Sequence, residues 1–146
     1  MSLQEDERYM RLALEEAQLA YESGEIPIGA VVVCDGRVIA RAHNEVERLS
    51  DPTAHAEVLA VTAATQYMGS KFLGDCRLYV TIEPCTMCAG ALHWARLGEV
   101  IYGASEEKFG YQRYAPEIFP RATKVRGGVL AEEARALMQS FFRARR

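Results

Sequence analysis

The sequence predicts an α/β domain of three layers, whose sheet opens as a hairpin and continues through helical crossovers. Three observations carry this. Segments of helical and strand-like pattern follow one another as α-β-β-α-β-α-β-(β)-α along 146 residues. A β-branched run containing Val31, Val32 and Val33 leads into Asp35-Gly36, a strong hairpin-turn signal. With 49% hydrophobic and 25% charged residues, the chain suits one domain, 1–146, with a real core rather than two domains.

Each element has its own reason. Residues 5–22 set Leu12, Ala13, Leu14, Ala17, Leu19, Ala20 and Tyr21 among acids in helical order, and Ser23-Gly24 ends the pattern. Gly29–Cys34 and Arg37–Ala42 are the hairpin strands, and the polar stretch Asn44–Pro52 is a loop. Thr53 or a neighbour caps a helix running to about Tyr67, with Ala56, Leu59, Ala60, Ala63 and Ala64 inside it. Cys76–Ile82 is a strand. Pro84, whose missing N–H costs nothing at a helix start, opens a helix over Cys85–Ala95. Glu99–Ala104 is a fourth strand and Ser105–Ala122, with Gly110, Pro116 and Pro120, is irregular. Lys124–Leu130 holds a short fifth strand, and Glu132–Arg143 is the last helix.

Composition narrows the function. The net charge of -3 argues against a protein that coats nucleic acid generally. That total hides an asymmetry: residues 1–104 hold 8 basic and 15 acidic residues, residues 105–146 hold 9 and 5. A basic C-terminal third is a weak hint of a polyanionic partner at one end, against the plainer reading of a solvated helix. Four cysteines make no disulfide scaffold at this length, no apolar run approaches a membrane span, and MSLQEDERYM is unlike a signal peptide. A cytoplasmic, reducing setting follows as the expectation, and there a C-x-x-C pair points to metal or redox chemistry.

Two motifs carry chemistry: His55-Ala56-Glu57 and Pro84-Cys85-Thr86-Met87-Cys88. Cys85 and Cys88 share one helix face, in a first turn where the helix dipole favours thiolate. One imidazole and two thiolates are a natural zinc set. Three protein ligands leave a fourth tetrahedral position open, the mark of a catalytic site. Zinc lowers the pKa of a bound water to about 7. Glu57, near the start of the same helix as His55, is placed to carry protons between that water and a leaving nitrogen. These are the parts for hydrolytic deamination of an aromatic ring. A thioredoxin-type redox pair is the competing reading of C-x-x-C alone. A structural zinc with Cys34, Cys76, His43 or His93 as fourth ligand is another, although Cys34 and Cys76 lie in predicted strands and read as core.

H-x-E followed by P-C-x-x-C is a signature defined on the zinc-dependent nucleobase deaminases themselves. With it come Glu25-Ile26-Pro27-Ile28-Gly29-Ala30-Val31, Asn44, Asp51-Pro52-Thr53-Ala54, Leu78-Tyr79-Val80-Thr81-Ile82-Glu83, Gly90-Ala91, Gly103-Ala104 and Ser140-Phe141-Phe142-Arg143. Over nearly its whole length the chain resembles the bacterial tRNA-specific adenosine deaminases. The resemblance implies a cytidine deaminase-like α-β-α sandwich on a five-stranded mixed sheet, a homodimer, one Zn2+ per chain, and conversion of adenosine to inosine at the wobble position of a tRNA anticodon. It assigns His55, Cys85 and Cys88 as zinc ligands and Glu57 as proton shuttle for attack by zinc-bound hydroxide. It sets Asn44 against the flipped nucleotide, Ile28 against the base, and the Glu83 backbone carbonyl against the exocyclic amine.

Two departures from the family pattern fall in the RNA-facing rim. Ser105-Glu106-Glu107-Lys108 stands where these enzymes carry Arg-Asp-x-Lys, and the stretch to Gly127 is shorter. Glu106 takes the acidic place beside the target. The tail Phe141-Phe142-Arg143-Ala144-Arg145-Arg146 sets aromatics beside three arginines, with Lys108, Arg113, Arg121, Lys124 and Arg126 before it. Stacking and phosphate contacts are how single-stranded loops are held, so Glu106, Lys108, Phe142, Arg143, Arg145 and Arg146 form the expected RNA surface. Ala91-Leu92-His93-Trp94-Ala95-Arg96 is also reminiscent of bacterial guanine deaminases, which leaves a free-base deaminase acting on guanine or cytosine as the alternative. A non-catalytic, zinc-stabilised RNA-binding protein is the third reading, and it has no use for Glu57.

Overall fold

Strand β1 (Gly29–Cys34) is buried along its whole length, and the sheet grows outward from it. The computed structural model describes residues 2–145. β2 (Arg37–His43) returns antiparallel beside β1. Asp35 and Gly36 join the two with φ of 54° and 74°, the pair of positive values that a type I′ turn demands. On the other side of β1 lies β3 (Cys76–Ile82), antiparallel to it. Then come β4 (Glu99–Ala104) and β5 (Lys124–Arg126), each parallel to its inner neighbour, in the order β2-β1-β3-β4-β5. The sheet is therefore five-stranded and mixed, as expected.

Strand alternation sorts the core into two faces. Val31, Val33, Tyr79 and Ile101 meet Tyr9, Met10 and Ala13 of α1 (Leu3–Glu22). Ala30, Val32, Leu78, Val80 and Val100 meet α3 (Ala56–Met68) and α4 (Thr86–Ala95). The short side chains of Ala56, Ala60 and Ala64 line the buried side of α3. Leu78 and Leu92 are wholly buried, and truncating either to Ala costs roughly 2–5 kcal/mol. On the α1 side, α6 (Ala131–Arg143) sets Ala134 against Ile82 and Ala104.

The layers are also tied by charge. Asp6 of α1 is buried. It accepts from both terminal nitrogens of Arg126 at 2.6 and 3.1 Å and from the Tyr79 hydroxyl at 2.8 Å. Arg126 Nε donates to Glu99 at 2.7 Å. Burial pushes the Asp6 carboxyl up, but the hydrogen bonds from Arg126 and Tyr79 outweigh it and hold the group below its usual value. Arg126 is therefore not one of the free cations of a basic loop, contrary to the reading of its sequence position.

Several boundaries also differ from expectation. The Asn44–Pro52 segment contains a short helix, α2 (Val46–Leu49). The buried Glu25 carboxylate caps it by accepting from the N–H groups of Glu47 and Arg48 at 3.0 and 2.9 Å. The 105–122 stretch contains α5 (Tyr111–Tyr114). β5 stops at Arg126, short of Leu130, and α4 starts at Thr86, with Cys85 as its cap residue. No helix among the described residues is long and apolar enough to cross a membrane. The carboxyl ends of parallel β3 and β4 meet the start of β1 and the exit of β2 at one end of the sheet, and the candidate site lies there.

Candidate active site

His55 is the cap residue of α3, in extended conformation with φ -79° and ψ 153°. The helix does not start from Thr53, because the Thr53 hydroxyl and N–H both donate to Asp51 Oδ1 at 2.8 Å. The cap comes instead from Asn44, just past β2, whose Oδ1 accepts from Ala56 N at 2.7 Å. Asn44 N donates in turn to the Ile28 carbonyl at 3.1 Å. The loop before β1, the exit of β2 and the start of α3 are thus locked together, and His55 is held between them.

Cys85 follows β3 at the cap of α4, and Cys88 lies in that helix's first turn. His55 Nδ1 is 3.7 Å from Cys85 Sγ and 3.4 Å from Cys88 Sγ. The three atoms all lie within 4.8 Å of one another. The N-to-S edge of a tetrahedral zinc site is about 3.6 Å, so this donor set fits zinc in both spacing and chemistry. Hydrogen bonding from Cys88 and the nearby His55 pull the Cys85 thiol down to about 4 against the effect of burial. Cys85 and then burial push the Cys88 thiol up. A dication between them favours both thiolates.

The other candidate ligands lie elsewhere. Cys34 and Cys76 face each other across β1 and β3, and burial pushes the Cys76 thiol up to about 12. His43 Nδ1 lies 2.9 Å from Glu16, and His93 Nδ1 lies 2.6 Å from the Ile118 carbonyl. Among the described residues, His55, Cys85 and Cys88 are the group able to hold a metal ion.

Glu57, the second residue of α3, is buried beside this group. Burial raises its carboxyl to about 7, with the Cys85 charge adding to the rise, while its own N–H and His55 oppose it. A carboxyl balanced near neutrality can both take and return a proton.

Above lies an open cleft of about 1260 Å³, with Ile28, Asn44, His55, Glu57, Glu83 and Cys85 along its lower wall. Glu106, Lys108, Phe109, Phe142 and Arg145 complete its lining as the more exposed rim. Arg143 lines an adjoining recess of about 520 Å³ with Ser105 and Arg135 rather than the cleft itself. Phe141 is core, packed edge-on against Tyr21, and Phe142 is exposed. The Arg145 guanidinium sits 3.8 Å above the Phe141 ring. Arg146 lies outside the described residues. Sequence reasoning missed the side chains of Glu25 and Glu83. Both are buried carboxylates that accept from backbone N–H groups 22 to 29 positions away, a relation that local spacing does not signal.

Comparison with known proteins places this geometry among deaminases. Residues 4–146 match the family model described as MafB19-like deaminase. A tRNA-specific adenosine deaminase of Streptococcus pyogenes is 44% identical over 147 residues, covering 97% of this chain and 92% of that one. A solved structure described as a tRNA:A34 deaminase, editing A to I at the wobble position of transfer RNA, superposes with a TM-score of 0.84. It is 41% identical and covers 89% of this chain and 98% of its own. The guanine deaminase of Bacillus subtilis, also 41% identical, gives a TM-score of 0.67 over 77% of this chain and 75% of its own.

Proposed function

We propose, since the chain belongs to the MafB19-like deaminase family among the tRNA-specific adenosine deaminases, that its cleft converts adenosine to inosine at the wobble position of a tRNA anticodon. One observation carries the reading: the buried carboxyl of Glu57 beside a three-ligand group, on the floor of an open cleft of about 1260 Å³.

His55, Cys85 and Cys88 would hold one zinc ion, with the fourth position left for solvent and substrate. Zinc there supplies Lewis acidity and makes water a competent nucleophile near neutral pH. Glu57 takes a proton from the attacking water and gives it to ring N1 as the new C–O bond forms at C6. It then carries the second proton to the amine, which leaves as ammonia when the C–N bond breaks. Asn44 has Oδ1 committed to α3, so its Nδ2 is the group left to donate to the flipped nucleoside. Ile28 packs against the base, and the Glu83 carbonyl accepts from the exocyclic amine. Lys108, Phe142 and Arg145 form the RNA-facing rim, with Glu106 at its acidic point, and Arg143 and Arg146 supply further charge for phosphate contacts.

Exposed Met87 and Trp94 on α4, with Tyr114 of α5, support assembly as a homodimer. A tRNA substrate supports a cytoplasmic location. The test is a side-by-side assay of the zinc-loaded protein on an anticodon stem-loop with adenosine at the wobble position and on free guanine and cytosine. Inosine in the stem-loop with little base turnover is the expected result. Rapid guanine or cytosine turnover with an untouched stem-loop would replace this reading with the free-base one.

A further inference from the structure

We propose that Glu83 is a positioning residue: its carboxylate straps residues 105–112 into place as the RNA-facing wall of the cleft. This rests on the reading of the cleft as an RNA site. Glu83 is only 5% exposed. Among the described residues no cation pairs with it. Its charge is met by backbone instead: Oε1 accepts from Glu106 N at 3.0 Å and Oε2 from Gln112 N at 3.2 Å. An unpaired buried charge is costly, so these two contacts hold the segment at both ends.

The segment is wound closely around the carboxylate. Gly110 N donates to the Glu106 carbonyl at 2.9 Å, and Tyr111 N donates to the Pro84 carbonyl at 2.9 Å. A Cβ at position 110 would lie 2.4 Å from both Glu83 Oε2 and the Glu106 carbonyl oxygen, so only glycine lets the carboxylate in. Between the two anchors the loop presents Lys108 and the exposed Phe109 to the cleft. Glu83 also stands two residues before Cys85, which forms a bridge pair with Gly110. Wall and metal-ligand segment therefore share an anchor, and the wall keeps a set distance from the reacting atoms. Two N–H groups need two acceptors. A carboxylate supplies them, whereas a glutamine amide turns one N–H against another donor.

Glu83→Gln and Gly110→Ala attack the strap from opposite sides, the second leaving the carboxylate intact. Both are made in the full chain loaded with zinc, and trypsin cleavage after Lys108 is followed by mass spectrometry. Steady-state deamination of the anticodon stem-loop is measured in parallel. Both variants should speed the Lys108 cut about tenfold and raise KM about tenfold, with a smaller fall in kcat. A merely structural role would lower the amount of active enzyme and leave KM alone. Unchanged Lys108 cleavage in a folded variant overturns the proposal, and so does faster cleavage with unchanged KM. If Glu83→Gln does not fold, Gly110→Ala decides. If the wild-type protein leaves the stem-loop untouched, the functional reading falls, while Lys108 cleavage still decides whether Glu83 is the strap.

Discussion

The floor of the cleft is held by several elements at once, whereas its rim is held by one short loop and the end of one helix. His55 is fixed at the start of a helix that Asn44 caps, and Cys85 and Cys88 by the junction of β3 with α4. Every group there is buried or half-buried. At the rim, Lys108, Phe109, Phe142 and Arg145 are all exposed. The contrast separates two tasks. Chemistry needs side chains placed to a fraction of an ångström, so it sits where packing overdetermines them. Recognition of a flexible loop tolerates exposed cations and rings, so it can be altered without disturbing the floor.

The strongest way to break this division is at Glu57. Glu57→Gln should keep about one zinc per chain while slowing deamination by about 10²–10⁴-fold, read by metal analysis and single-turnover rates. Activity within tenfold of wild type would mean that the floor does not supply the proton shuttle.

A second test uses Arg126, which belongs to the basic third in sequence and to the interior in space. Arg126→Ala should cost about 2–3 kcal/mol in urea melts, the low end for a broken buried pair because its guanidinium is partly solvated. The salt dependence of RNA binding should stay unchanged. The sign with pH follows from the Asp6 carboxyl, which the fold holds below its ordinary 3.8. Its stabilisation is present above that value and lost as the pH falls through the lower one, so wild type and variant should converge in acid. A variant as stable as wild type at pH 7 would return Arg126 to the rim.

The smallest effect is expected from the rim itself. Replacing Arg143, Arg145 and Arg146 together by Ala should weaken stem-loop binding by roughly tenfold and reduce the slope of log affinity against log salt by about 1–2. An unchanged slope would make the tail a solvated helix end.

Floor and rim were also unequally readable from sequence. The hairpin was legible because Asp35-Gly36 states its backbone conformation locally, and H-x-E with P-C-x-x-C because each motif begins a helix and spacing alone fixes its faces. What stayed hidden depends on partners far along the chain. Asn44 caps a helix 12 residues later, Glu83 reaches a loop 23 to 29 residues on, and Arg126 finds Asp6 across 120. In each case the residue type is ordinary for a loop or a solvated face, and only the folded path shows its partner. The short helices α2 and α5, each four residues long, escape for the related reason that one turn has no period to detect.

The bond between Asp6 and Arg126 also bears on the order in which the layers close. α1 precedes every strand of the sheet, yet the cation that matches its acid is 120 residues further along the chain. Until that residue is in place, closing α1 over the sheet would bury the carboxylate without the two hydrogen bonds that Arg126 donates to it. α1 therefore has reason to dock late, once β5 has brought its guanidinium to the sheet. The clasp closes a loop of 120 residues, and so ties the settling of α1 to that of β5.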